Sequence, residues 1–201
     1  MNVPKFRWRD TSQWERWAPR SIGGTTYTFD HLLAFDMTVE RPARGDLPSL
    51  LVHVRVVFDC HVVTESVGKG LPAGPPWDSA VWIDSGGRER RFNQSRYLRS
   101  LGLPLLIRGL TNGQSRCYVA SAHNYMVCER IDVQGRSEYY QVYFDLYRPT
   151  NESRLVMYVQ SAYVKDHPLA ASRKHAKPFA TLCAEKIGAV PRKGLANKKA
   201  P

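Results

Sequence analysis

Between Leu50 and Glu65 the residues Val52, Val54, Val56, Phe58, Cys60 and Val62 recur with period two, the spacing that lines one face of a β-strand. A chain with such a segment must bury that face under a second layer, so the fold has to contain a sheet. The opposite face reads His53, Arg55, Val57, Asp59, His61, Val63 and Glu65. So many ionisable groups on one side predict contact with water, a helix end or a ligand rather than with the core.

The same period recurs. From Thr25 to Val39 the odd positions Tyr27, Phe29, Leu33, Phe35, Met37 and Val39 are apolar, with His31 expected to sit half-buried and hydrogen-bonded. Arg116–Asp132, Tyr139–Tyr147 and Arg154–Lys165 predict three further strands, and Ala80–Asp84 a short one. The turns at Gly135 and at Pro149–Glu152 are short enough to dictate antiparallel pairing. Asn93 can cap a helix through Arg99, with Phe92, Tyr97, Leu98 and Leu101 available for its buried side. Pro104 suits the first turn of a second helix reaching about Leu110, stopped by Asn112-Gly113, and a last short helix is expected near Pro178 to Ile187. The expected class is α+β: a mostly antiparallel sheet (strand, strand, helix pair, three strands) with helices on one face and a basic C-terminal tail. Residues 1–24 read as a Trp/Arg-rich arm, 25–170 as a single domain and 171–201 as a short helix and basic tail. The arm's Trp residues are expected to dock on the body more often than to stack on bases.

Charge narrows the partners. The 201 residues carry 29 Lys and Arg against 18 Asp and Glu, a net +11, which favours polyanions. From Arg173 to the end, eight Lys or Arg face Glu185 alone, among them Lys174, Lys177, Arg192 and Lys193. A second block, Arg88 to Arg116, holds seven Arg, including Arg88, Arg90, Arg91, Arg96 and Arg99, and no Lys. Arginine makes the better bidentate phosphate contact. No apolar run is long enough to cross a bilayer, and the start offers no secretion signal. The expected setting is cytoplasmic, with no membrane partner and with reduced cysteines.

The spacing excludes several chemistries. No Gly-Lys-Ser/Thr phosphate loop and no dinucleotide-binding glycine fingerprint is present. There is no Cys-x-x-Cys or His-x-x-x-His pair, and Cys60 and His61, adjacent on a strand, should point to opposite faces, so neither a metal nor a cofactor is expected. What remains is a polar sheet face beside Arg. His53, Asp59 and His61 from one strand, with Tyr143 and Tyr158 from others, could meet across the sheet. Such a set suits metal-independent RNA cleavage: His or Tyr moves the proton of a ribose hydroxyl or leaving oxygen while Arg stabilises the charged phosphorane. The alternative for each residue is a solvent-facing sheet surface.

Several of these residues also carry a resemblance: Arg91-Phe92, Arg96-Tyr97, Ser100, Leu103-Pro104, Asn124-Tyr125, Tyr139 to Phe144, and Val159 to Tyr163. Over roughly 25 to 170 the chain resembles a family of small bacterial proteins found on chromosomes, plasmids and phages, sometimes labelled stationary-phase adaptation or heat-shock proteins. That resemblance implies bacterial or mobile-element origin and no particular activity. The order of helix and antiparallel sheet, with a basic, Tyr-rich surface, is similar in topology to RelE-type and colicin-type ribonuclease toxins, which implies RNA as substrate. The expected function is therefore nucleic-acid binding, RNA favoured over DNA, with endoribonuclease activity as its sharper form. The alternatives are a non-enzymatic protein-interaction module using the Tyr-rich sheet face, and a structural component of a nucleoprotein particle.

Overall fold

The computed structural model describes residues 6–7, 13–67, 81–113, 115–119, 124–133, 136–165 and 176–189, with side chains described outside 6–7, 13–14 and 124–138. In chain order the strands are β1 (Phe6–Arg7), β2 (Arg20–Ile22), β3 (Thr25–Tyr27), β4 (Phe35–Arg41), β5 (Leu50–Phe58), β6 (Thr64–Ser66), β7 (Val81–Ile83), β8 (Glu89–Phe92), β9 (Arg116–Val119), β10 (Asn124–Val133), β11 (Arg136–Tyr147), β12 (Leu155–Lys165) and β13 (Lys177–Pro178). The helices are α1 (Gln13–Arg16), α2 (Gln94–Ser100), α3 (Leu103–Gly109) and α4 (Phe179–Lys186).

The main sheet has seven strands in the order β13-β9-β10-β11-β12-β5-β4. Every neighbouring pair is antiparallel except β5 beside β12, which is parallel because the helical region and the β10–β11 hairpin intervene between them. The α+β class follows. A smaller sheet, β1-β7-β8-β6, and the β2–β3 hairpin complete the strands. The alternation in β5 and β11 is realised: Val52, Val54, Val56 and Phe58 are buried, as are Tyr140, Val142, Phe144 and Leu146. Phe144 meets Phe179 of α4 edge-on. The core also takes in Leu182 and Cys183 of α4 at one end of the chain and Trp17 and Ile22 at the other. Trp17 packs on Phe29, so this part of the Trp-rich arm docks; Trp8 lies outside the described residues.

Three expected strands are shorter than their patterns. The segment 25–39 is broken by a 3-10 turn at Asp30–Leu32, which parts β3 from β4. His31 nevertheless sits as expected, half-buried with Nε2 2.8 Å from Ser100 Oγ. The segment 116–132 divides into β9 and β10. The strand expected to run from Leu50 to Glu65 ends at Phe58: Asp59 is extended (φ −88°, ψ 157°) and its carboxylate accepts the His61 N–H, opening a 3-10 turn over Cys60–Val62. Short Asp side chains compete with the ladder for backbone N–H groups in this way. Chain direction then changes, and Thr64–Ser66 joins the smaller sheet beside β8.

In β12 the pairing slips between Tyr143/Ser161 and Phe144/Val159, so Gln160 is a bulge. One extra residue reverses the parity of every later side chain. Leu155, Met157 and Val159 are buried, then Ala162, whereas Tyr163, expected on that apolar face, stacks instead on Tyr143 with ring centroids 5.4 Å apart.

Asn93 caps α2 as expected, its Oδ1 accepting from Arg96 N at 2.9 Å. Pro104 stands in the first turn of α3, and Gly113 ends the region at φ 75°. Tyr97 packs among Tyr27, Phe29 and Phe92. The buried stripe continues through Ser100, Leu103, Ile107 and Leu110, so Leu98 and Leu101, expected inside, fall on the opposite side at 57% and 50% exposure, with Leu105 at 78%. Leu105→Gln is accordingly expected to change unfolding stability by no more than about 0.5 kcal/mol in urea denaturation. No helix among the described residues is long and apolar enough to cross a membrane.

Candidate functional site

The 3-10 turn after β5 is built around charge. Asp59 is buried and accepts on Oδ1 from His61 N (3.1 Å) and Cys60 Sγ (3.3 Å), and on Oδ2 from the Tyr158 hydroxyl. The His61 ring turns to the β7–β8 hairpin, where Nε2 lies 3.1 Å from Asp84 Oδ2 and 3.7 Å from Asp59 Oδ1. Asp84 organises that hairpin. Its Oδ1 accepts from Gly86 N (2.9 Å) and Arg88 N (3.0 Å), and its Oδ2 from Arg88 Nε (2.9 Å). Arg96 of α2 closes the turn from outside, Nη1 donating to the carbonyls of His61 (3.0 Å) and Thr64 (2.6 Å).

Of the five residues expected to carry catalysis, Asp59, His61 and Tyr158 therefore come together. They do so as a closed hydrogen-bonded set and not as an open proton-transfer cleft. His53 stays on the outer face of β5, its Nδ1 3.2 Å from Thr38 Oγ1. Tyr143 donates to Gln141 Oε1 (2.9 Å) and stacks on Tyr163. The early end of β5 is the reason: past Phe58 the alternating faces no longer exist, so His53 and His61 do not share one. Sequence reasoning missed Asp84, whose signal was its place two residues before Gly86-Gly87, the pattern of an Asx-type turn.

Burial lowers the His61 imidazole pKa, with Arg90 acting the same way against the opposing pull of Asp59 and Asp84. Burial also lowers that of His31, against Asp30. Burial alone would raise Asp84, but the hydrogen bonds from Arg88, His61 and Gly86 hold it below its ordinary value. Burial and Asp59 push the Cys60 thiol well up. Both histidines are thus favoured neutral in the fold, so the stability they allow is present above about pH 6.5, the unfolded value, and is lost as pH falls toward their lower folded values. The melting temperature should drop between roughly pH 7.5 and 5.5, and a His31→Asn, His61→Asn double variant should show a smaller drop.

The Arg block divides by role. Arg90 is buried, donating to Thr64 Oγ1 (2.9 Å), Ser66 Oγ (3.1 Å) and Thr64 O (3.2 Å), so it holds β8 to β6 and cannot reach a phosphate in the folded chain. Arg88 is exposed but ion-paired with Asp84. Arg91 is half-buried opposite Glu65 and Val81. These three belong to the β7–β8 hairpin that precedes the helix capped by Asn93; Arg96 and Arg99 alone of the candidates lie on α2. Lys177 pairs with Glu185 at 2.8 Å. Lys174, Arg192 and Lys193 lie outside the described residues.

Beside α2 opens a cavity of about 260 Å³, lined by Asn93, Ser95, Arg96 and Arg99 with Tyr140 and Tyr163 from the sheet. Glu65 lines it as well, its carboxylate held by Asn93 Nδ2 at 2.8 Å, so the two arginines face one acidic group there. The Arg96 guanidinium lies over the Tyr163 ring, 5.5 Å from its centroid. Two cations and a tyrosine face make a pocket suited to an anionic group attached to a flat ring.

The molecule is thus an α+β protein with a buried polar turn and a cationic, Tyr-walled cavity. The family model described as the YjaZ family matches residues 19–187, and the chain belongs to that family. No curated protein and no solved structure matches the chain.

Proposed function

We propose that this YjaZ-family protein binds single-stranded RNA, its phosphates held by Arg96 and Arg99 and a base stacked at the Tyr163 ring. The observation that carries the reading is the cavity beside α2, where both Arg side chains and Tyr163 converge. The surroundings favour it: no acidic residue occurs between Glu89 and Glu129, and the chain is strongly cationic. Stacking on aromatic faces and a cationic groove are the two elements of sequence-tolerant single-strand binding.

The test is the affinity for a labelled single-stranded RNA as a function of salt. Affinity should fall linearly on a log-log plot, and Arg99→Ala should reduce the slope by about 0.7. A tail truncation must spare α4, whose Phe179, Leu182 and Cys183 are core residues. Deleting residues 190–201 removes four cations and should reduce the slope by up to about 3. A flat salt response rejects the reading. Recovering the RNA intact in chelator identifies a binder, and cleavage in chelator identifies the ribonuclease that the toxin-like topology implied.

A protein partner is the second reading. It is favoured by the exposed Leu98 of α2, Leu101 in the turn after it and Leu105 of α3, since exposed apolar surface on a folded chain can mark a contact site. A stable protein complex that survives RNase treatment and is lost in Leu98→Ser, Leu105→Ser would support it over RNA.

A further inference from the structure

The 3-10 turn does more than end β5. On a strand, Cys60 and His61 would point apart; in the turn, donor atoms of Asp59, Cys60 and His61 all lie within 4.8 Å of one another. Asp84, from a different segment, touches this group at His61 Nε2 and offers a fourth donor. We propose that Asp59 Oδ1, Cys60 Sγ, His61 Nε2 and Asp84 Oδ2 form a structural zinc site that ties the end of β5 to the β7–β8 hairpin.

The distances carry the proposal. Zinc bound at about 2.0–2.3 Å with tetrahedral angles places neighbouring donor atoms about 3.3–3.6 Å apart. Here Cys60 Sγ is 3.3 Å from Asp59 Oδ1, His61 Nε2 is 3.7 Å from the same oxygen, and His61 Nε2 is 3.1 Å from Asp84 Oδ2. These three of the six edges thus stand within a few tenths of an ångström of those of a zinc tetrahedron, and ion binding would draw the Asp84 carboxylate in along the others. Four protein ligands leave no open position, the mark of a structural rather than a catalytic site.

The outer groups fit as well. Ligating carboxylates are normally fixed by further hydrogen bonds, and here Tyr158 holds Asp59 Oδ2 while Gly86 and Arg88 N–H groups hold Asp84 Oδ1. Arg88 Nε remains on a second lone pair of Asp84 Oδ2. Asp59, Cys60 and Asp84 are buried and the His61 side chain is 22% exposed, which gives the ion its way in. On binding, the Cys60 thiol releases its proton to solvent and forms a sulfur–metal bond, and the His61 proton moves to Nδ1, leaving Nε2 to the metal. Affinity should therefore rise with pH.

The experiment uses the full chain, freed of metal by chelator and titrated with Co²⁺ and then Zn²⁺. One equivalent of Co²⁺ should produce a thiolate-to-cobalt charge-transfer band with the intense visible bands of a tetrahedral centre, and Zn²⁺ should displace it and raise the melting temperature. Cys60→Ser should abolish the charge-transfer band and weaken Zn²⁺ binding at least about tenfold, no less than the loss caused by removing a supporting outer group. A Cys117→Ser, Cys183→Ser variant should keep the band. Should Cys60→Ser fail to fold by circular dichroism, His61→Ala provides the same comparison of affinity. Absence of the band in the unmutated chain, its survival in Cys60→Ser, or unchanged affinity in His61→Ala overturns the proposal.

Discussion

Replacing Asp84 with alanine is expected to lower unfolding stability by about 3–5 kcal/mol, the cost of removing one partner from a buried ionic set. The Asp84 side chain is 1% exposed and accepts from two backbone N–H groups, Arg88 Nε and His61 Nε2. Arg88 is 72% exposed, so its ion pair itself contributes little. The loss arises at the buried end, where the Gly86 and Arg88 amides and the His61 ring would keep their desolvation cost without a partner. Asp84→Asn retains the shape and can still accept from both amides, and should cost only about 1.5–3 kcal/mol, the range of a hydrogen bond to a charged group. Urea denaturation at neutral pH in the presence of chelator reads both values. An Asp84→Ala variant within about 1 kcal/mol of the parent would show that the hairpin does not depend on this carboxylate.

Tyr163→Ala should weaken single-stranded RNA binding by about 5- to 150-fold, the equivalent of the roughly 1–3 kcal/mol carried by one stacked base. The ring is the side of the cavity that offers a flat face, and it is already held by the stack on Tyr143 and the guanidinium of Arg96. A base laid on the Arg96 side of the ring meets groups that are already ordered, which keeps its entropic cost low. Tyr163→Phe preserves the face and should bind as the parent does. Fluorescence anisotropy at one fixed salt concentration separates the two variants; equal losses in both would assign the effect to the hydroxyl and remove the stacking argument. Because Arg96 also braces the turn at His61 and Thr64, Arg96→Ala would disturb that turn as well as any phosphate contact.

The strands β5, β11 and the first half of β12 could be read residue by residue, because alternation is imposed by the local pleat and needs no partner. The Asn93 cap, Pro104 and Gly113 were legible for the same reason: each acts on backbone within four residues of itself. The cavity was legible only in its ingredients. Arg96 and Arg99 stood among the candidate phosphate contacts, whereas Tyr163 was expected on the apolar face of its strand; their convergence requires α2 to lie against the end of β12, and Tyr163 to have changed face at Gln160.

Period-two patterning settles whether a segment can be a strand, and it remains silent on where pairing stops. Val62 continues the apolar series of β5 just as Val54 does, and both are buried; one lies in a turn and the other in a ladder. The difference begins at Asp59, whose carboxylate accepts the His61 N–H, and is fixed by Tyr158, ninety-nine residues from Asp59 in the chain, and by Asp84, twenty-three from His61. Class, core strands and helix caps therefore follow from local stereochemistry and are written in adjacent residues. The polar turn, the bulge and the division of the arginines between scaffold and surface depend on hydrogen-bond partners that folding alone brings within 3 Å or so of one another.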